Sequence, residues 1–315
     1  MDGILNIYKP KGMTSFDVIA HLRKVLNEKK IGHAGTLDPD ACGVLPVCVG
    51  KATKALEFMI DKDKKYIAEV TFGISTDTQD ASGQIKEIKS TELNFNEINN
   101  VMMSIIGEIY QVPPMYSALK IKGKKLVDLA RQGIEVERQP RKVTIFDAKV
   151  EKCWQDIIQN EKIPNAVQVT KAVIFVHCSK GTYIRTLCED MGQKIGIPSH
   201  MSALERVCAG IFDKKDSIHL NDVERLANSG KIQDILLPAD IIFANFSKVY
   251  LNKHSYKIYR NGGIVQIDEN NYNFKRSDIY VSVYCEDKFI GVGTIKHENN
   301  RVLLKSYKLF ETTLK

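Results

Sequence analysis

An aspartate set among glycines and followed by proline is the first feature of this chain able to do chemistry. Asp38 lies in Gly32-His33-Ala34-Gly35-Thr36-Leu37-Asp38-Pro39-Asp40-Ala41-Cys42-Gly43-Val44-Leu45-Pro46. The glycines at 32, 35 and 43 open backbone conformations closed to other residues. Pro39 restricts Asp38 to extended geometry. The loop thus presents an acid at a rigid point beside an apolar run. A carboxylate held this way can act as nucleophile or base. The competing reading is a turn cap before Pro39, and local chemistry alone favours it. Taken singly, other residues read blandly too. Tyr66 reads as a strand aromatic in the core, and Arg185 as a surface or phosphate-contact arginine on a helix. His33 reads as incidental, and Tyr183 and Leu204 as core.

The elements around these residues mix strands and helices without regular alternation, so the fold class is α+β. Gly3 to Tyr8 reads as a strand ended by the turn Lys9-Pro10-Lys11-Gly12. Ser15 is expected to cap a helix that buries Val18, Ile19, Leu22, Val25 and Leu26. Val44 to Val49 reads as a buried strand and Ala52 to Ile60 as a short helix. From Tyr66 to Phe72 the pattern alternates, with Tyr66, Ala68, Val70 and Phe72 on one face. Ser75 to Gly83 is an acidic turn. A second amphipathic helix turns Ile98, Val101, Met102, Ile105 and Ile106 inward. Pro113-Pro114 breaks the pattern before a lysine-rich, hairpin-like segment. Val173 to Cys178 reads as a strand, and Tyr183 to Ile195 as a helix. Near Asn245 the composition shifts to short β-rich runs (279–285, 289–294 and 302–306). That divides the chain into residues 1–244 and a small all-β unit, 245–315.

Composition narrows the class. The 315 residues are 43% hydrophobic and 26% charged, which provides for an ordinary core. No apolar run approaches the ~18–20 residues that span a bilayer, and the N-terminus lacks a basic-then-apolar leader. The seven cysteines are odd in number and scattered, with no CxxC pair, which argues for reduced thiols in a cytoplasm. Lys and Arg total 45 against 38 acids, a net +7 that permits a polyanionic partner without establishing one. Between Lys120 and Lys142, eight bases face three acids, a local net of +5. That stretch is either a phosphate grip or a solvated face.

Several motifs together resemble the TruB-type pseudouridine synthases. The Asp38 segment is similar to the family's G-H-x-G-x-L-D-P-x-A-x-G-x-L-P, whose many fixed positions make chance agreement improbable. In the same order follow the other matches: Lys9-Pro10-Lys11-Gly12-Met13-Thr14-Ser15 precedes it. After it come Lys65-Tyr66, the acidic loop Thr76-Asp77-Thr78-Gln79-Asp80, and Pro113-Pro114-Met115-Tyr116-Ser117-Ala118-Leu119-Lys120. Ser179-Lys180-Gly181-Thr182-Tyr183-Ile184-Arg185-Thr186-Leu187 matches the arginine motif. The resemblance implies a mixed, largely antiparallel sheet flanked by helices, carrying residues 1–244. Residues 245–315 resemble, more weakly, a PUA-like RNA-binding domain.

The activity implied is isomerisation of uridine to pseudouridine in the T arm of tRNA, at position 55, by a cytoplasmic monomer. Asp38, Tyr66 and Arg185 would be catalytic. Asp38 would be the obligatory carboxylate, ionised near an ordinary pKa of ~3.9. Arg185 would pair with it and keep it anionic. Tyr66 would stack on the flipped uracil, and His33 would fill the space that base leaves. Tyr183 and Leu204 would line the pocket. Lys9 and Lys120 join the substrate-contacting set, with holding the Asp38 loop the favoured task for Lys9. The reaction exchanges an N1–C1′ bond for a C5–C1′ bond, so no cofactor or metal is expected. Attack at C1′, attack at C6 and removal of a C2′ proton all remain open as first steps. Two other readings compete: the guide-RNA-dependent relatives of this family, and a tRNA-binding protein without catalysis. The intact Asp38, Tyr66 and Arg185 set argues against the latter.

Overall fold

The strand leaving the Asp38 loop, Cys42–Val49, buries seven of its eight residues. A strand covered on both faces needs such a continuous apolar run. It lies inside a 10-stranded mixed sheet of the computed structural model, which describes residues 1–117, 119–121, 123–268, 279–298 and 301–310. From one edge the strands run Ile218–His219, Gly3–Lys9, Cys42–Val49, Ser199–Ala209, Lys64–Phe72, Ile163–Cys178, Arg141–Asn160 and Gly107–Gln111. Short strands Ile31–His33 and Phe212–Asp213 pair alongside. All pairs are antiparallel except Gly3–Lys9 with Ile218–His219 and Cys42–Val49 with Ser199–Ala209.

That second parallel pair is a seam. It is held by only two residue pairs, Glu205 with Cys42 and Arg206 with Gly43. Each side has its own core. On one, Leu5, Ile7, Leu45 and Val47 meet Val18, Ile19 and Leu22 of the helix Ser15–Val25. On the other, Ala68, Val70, Phe72 and Ile174 meet Ile98 and Met102 of the helix Phe95–Ser104, and Leu187 and Met191 of the helix Ile184–Ile195. A loop entering the sheet at the seam therefore stands between two packed bodies.

The structure corrects several expectations. Thr14, not Ser15, caps the first helix through a capping box with Asp17. The Ser15 hydroxyl is committed to Leu37 instead. Residues 50–55 form a 3₁₀ turn before the short helix Leu56–Ile60, which replaces one continuous helix. Ile106 lies beyond its helix and is 37% exposed. Val173–Cys178 is only the end of a 16-residue strand, Ile163–Cys178, paired with the 20-residue strand Arg141–Asn160. Three register shifts in that hairpin scramble the alternation that would have revealed it. The helix Ile184–Ile195 closes on Gly196 in the left-handed conformation, φ 76°.

The C-terminal sheet has five strands in the order Lys248–Leu251, Tyr280–Cys285, Lys288–Glu298, Arg301–Leu309 and Val265–Ile267. It is not all-β. A helix, Lys253–Arg260, packs Tyr256 and Tyr259 against it. With few apolar residues at helical spacing, this helix is hard to see in sequence. An aromatic junction of Phe58, Phe243, Phe246, Tyr280 and Phe289 fastens this sheet to the larger one.

Gly43 stands at the seam with φ 108°, and a Cβ there would lie 2.2 Å from the carbonyl oxygen of Arg206. Gly43→Ala is therefore expected to destabilise the fold by at least ~1–3 kcal/mol, read as a lower urea midpoint. A wild-type midpoint would contradict the close approach at the seam.

Candidate active site

Asp38 is fixed by tethers on the residues beside it. On its N-terminal side, Leu37 exchanges two hydrogen bonds with the Ser15 hydroxyl, at 2.9 and 3.2 Å. On its C-terminal side, the Pro39 carbonyl accepts from the Gly12 amide at 2.9 Å and from Lys9 Nζ at 3.2 Å. Lys9 also donates to the carbonyls of Pro10 and Met13, and it is wholly buried. Of the two tasks open to Lys9, this geometry serves loop holding. Its ammonium has no free path to a substrate, so its place in the substrate-contacting set is withdrawn. Burial pulls its pKa down.

Arg185, 6% exposed near the start of its helix, is the hub of the site. Its Nε lies 3.3 Å from Asp38 Oδ2, and its Nη1 lies 3.3 Å from Asp80 Oδ2. Its Nη2 donates to the Tyr116 carbonyl at 2.9 Å. The same helix secures the acidic loop. The Thr186 hydroxyl donates to Gln79 at 2.9 Å, and Gln79 donates in turn to Glu189. In the sequence Asp80 is only one residue of an acidic loop motif, with no role marked for it. Its partner is 105 residues away, and only the fold brings the two together.

Two contiguous lobes open around this hub, of about 610 and 340 Å³. Asp38, Arg185, Tyr116 and Leu204 line both, so the ion pair stands on the ridge between them. The smaller lobe adds Thr36, Tyr66 and Tyr183. The larger adds Lys11, Asp40, Asp80, Ser82 and Arg131. The smaller lobe has three tyrosines on its wall, Tyr66, Tyr116 and Tyr183, which suits a planar ring. The larger sets Lys11 and Arg131 beside the carboxylates of Asp38, Asp40 and Asp80. His33 ends the short strand Ile31–His33 and lines neither lobe, and its ring lies 5.5 Å from that of Phe16, which is 70% exposed.

The electrostatics differ from expectation at one point. Although 42% of the Asp38 side chain remains accessible from the cleft, protein encloses the rest, and desolvation raises its pKa above the ordinary carboxylate value. Arg185 opposes that rise, and Asp80 adds to it. Arg185 therefore limits the shift rather than pulling Asp38 below normal. Burial likewise raises the phenols of Tyr66 and Tyr183, while it lowers His33 and favours the neutral imidazole.

The basic stretch is only partly free. Arg131 faces the larger lobe, while Arg138 pairs with Glu135 at 3.0 Å and Lys142 with Glu108 at 2.6 Å. Lys122 and Ala118 lie outside the described residues, as do the side chains of Lys120 and Lys125. Glu205 accepts from the Tyr8 hydroxyl at 2.7 Å and pairs with Lys214 at 2.6 Å. Sequence reasoning also gave Arg206 no part. It is buried in the seam on the same strand face as Leu204, two residues on, and that alternation was the available signal.

A family model for the TruB family pseudouridylate synthase N-terminal domain matches residues 23–184. One for the tRNA pseudouridylate synthase B C-terminal domain matches 185–244. Over 316 aligned residues the chain is 42% identical to the tRNA pseudouridine synthase B of Clostridioides difficile (strain 630), covering 98% of this chain and all of that protein. The chain belongs to the TruB family. Another TruB relative, the tRNA pseudouridine synthase B of Clostridium tetani (strain Massachusetts / E88), is 40% identical over 304 residues, 96% of this chain and 99% of that one. Among solved structures, a chain of a Cbf5-Nop10-Gar1 complex aligns with TM-score 0.70 and 24% identity, over 98% of this chain and 85% of that one. A chain of an H/ACA RNP bound to a substrate RNA containing 2′-deoxyuridine aligns with TM-score 0.69 and 21% identity, over the same shares. These two show that the TruB chain has the pseudouridine synthase fold.

The charge arrangement makes opposite predictions for the two neighbours of Asp38. In a carboxyl-carbon NMR titration, Arg185→Gln should move the Asp38 midpoint up, because the opposing cation is gone. Asp80→Asn should move it down, because a like charge is gone. Shifts of the same sign in both variants would contradict the arrangement.

Proposed function

We propose that this protein isomerises uridine to pseudouridine in tRNA, at position 55 of the T arm, with Asp38 as the obligatory carboxylate. Asp38, Tyr66 and Arg185 act on the flipped nucleoside, and Tyr183 and Leu204 enclose it. The observation that carries the reading is the Asp38–Arg185 pair at 3.3 Å, beside a lobe walled by Tyr66, Tyr183 and Leu204. The net reaction breaks N1–C1′ and forms C5–C1′. One proton leaves C5 and one is gained at N1, so atoms and electrons balance without redox chemistry. Attack at C1′, attack at C6 and deprotonation at C2′ share one requirement. A carboxylate anion must stand at the sugar edge while the base remains held nearby.

A uridine stacked in an RNA loop must first be everted, at a cost of a few kcal/mol. Stacking on Tyr66 offsets about 1–3 kcal/mol of that. A neutral His33 beside the exposed Phe16 is suited to the vacated space in the loop, because an uncharged ring stacks without bringing a buried charge. Lys11 and Arg131 meet phosphates from the wall of the larger lobe, and the resemblance to the family assigns Lys120 to the same set of substrate contacts. Residues 1–244 form the catalytic unit, and 245–315 a PUA-like unit that also meets RNA. Supporting that second role, the half-exposed Tyr250 stacks on Tyr284 at 5.4 Å, and Lys248 sits 5.4 Å over the Tyr284 ring. The protein acts as a monomer, in the cytoplasm, with neither guide RNA nor cofactor.

The test is incubation of the purified chain with an unmodified tRNA transcript, nothing else added, followed by mapping of pseudouridine at single-nucleotide resolution. The expected result is modification at position 55 alone. It should be lost by ~10⁴-fold or more in Asp38→Asn, while tRNA binding persists. Modification that survives Asp38→Asn would refute the assignment.

A further inference from the structure

Among the described residues, Arg206 is the largest fully buried side chain, 1% exposed. No carboxylate among them lies within ion-pair distance of its guanidinium. A charge buried without a counter-ion is costly, and its donors show what it secures. Nε donates to the Val44 carbonyl at 2.7 Å, and Nη2 to the Gly35 carbonyl at 2.9 Å. Gly35 and Val44 flank Asp38 on the incoming and outgoing limbs of its loop. The guanidinium also faces the Tyr66 hydroxyl, and Tyr66 is the residue directly across from Arg206 in the sheet. One planar fork therefore ties both limbs of the Asp38 loop, and it does so on the sheet face that Arg206 shares with Tyr66 directly across. It does so at the seam, where the backbone supplies only two residue pairs.

We infer that Arg206 is a positioning residue for the isomerisation. Without touching substrate, it sets the separation between Asp38 and the Tyr66 ring, the two sides of the slot that receives the nucleoside. This rests on the function proposed above. Lys9 and Ser15 hold the middle of the loop from the N-terminal segment, but neither reaches Tyr66. Among the described residues, it is Arg206 that hydrogen-bonds both limbs of the loop while standing directly across from Tyr66. A lysine could not replace it, because a single ammonium lacks the fixed fork that serves carbonyls on both limbs at once.

The test compares wild type, Arg206→Lys and Arg206→Gln in single-turnover pseudouridine formation on an unmodified tRNA transcript, with tRNA Kd measured in parallel. A slot that loses its setting by about an ångström should slow the reaction by ~100-fold in both variants. Kd should stay within about threefold of wild type. Added methylguanidinium should restore part of the rate to Arg206→Gly and none to Asp38→Asn. A wild-type rate in Arg206→Lys would overturn the inference. So would losses of rate and affinity that match, the mark of a merely structural role. If the Arg206 variants do not fold, Tyr66→Phe probes the same contact by removing only the hydroxyl that Arg206 faces. The expected result is a rate about tenfold lower at unchanged Kd, and a wild-type rate would overturn the inference. A wild-type chain that leaves uridine unmodified would instead bring down the functional reading itself, an outcome distinct from all of these.

Discussion

The guanidinium of Arg185 is the point on which the site depends. It meets two carboxylates and the backbone carbonyls of Tyr116 and Thr78 at once. Asp80 raises the cost of ionising Asp38, and the cation placed between the two carboxylates offsets part of that cost. Such a cluster is a weak device for stability, since desolvation consumes much of the Coulomb gain. Its value is geometric. These partners fix the plane of the fork, and the fork fixes the carboxylate that must reach the sugar.

That hub needs rigid surroundings, and the fold supplies them at a weak place in the sheet. The Asp38 loop enters where two packed halves meet through two residue pairs. The N-terminal segment pins the residues on either side of Asp38, and the helix bearing Arg185 secures the Asp80 loop through Gln79. The lobes therefore open along the seam, where backbone pairing is sparse and side chains can face each other across a gap. Catalysis by a single carboxylate tolerates little misplacement, since about an ångström costs about 100-fold. The buried tethers around this loop match that demand.

What could be read from the sequence was what is local. The glycine-rich loop, the strand phase of Tyr66 and the extent of the Arg185 helix all follow from residues close in the chain. The resemblance to a family added roles that spacing alone could not. What escaped depends on distance or on broken periodicity. Asp80 meets Arg185 across 105 residues, and Arg206 meets Val44 across 162. The long hairpin was hidden by its register shifts, and the Lys253–Arg260 helix by its sparse apolar face. Lys9 shows a third kind of miss. Nothing in a Lys-Pro turn tells whether the ammonium points to solvent or inward to three carbonyls.

The central claim is that an everted uridine enters the aromatic lobe with its ribose edge beside residue 38. The most direct measurement is a structure of the Asp38→Asn protein bound to an unmodified T stem-loop, in which chemistry is stopped but binding persists. The account predicts the target base turned out of the loop and stacked on Tyr66, with its C1′–C2′ edge within hydrogen-bonding reach of the residue 38 side chain. A uridine still stacked within the RNA, or seated away from Tyr66 and residue 38, would contradict it.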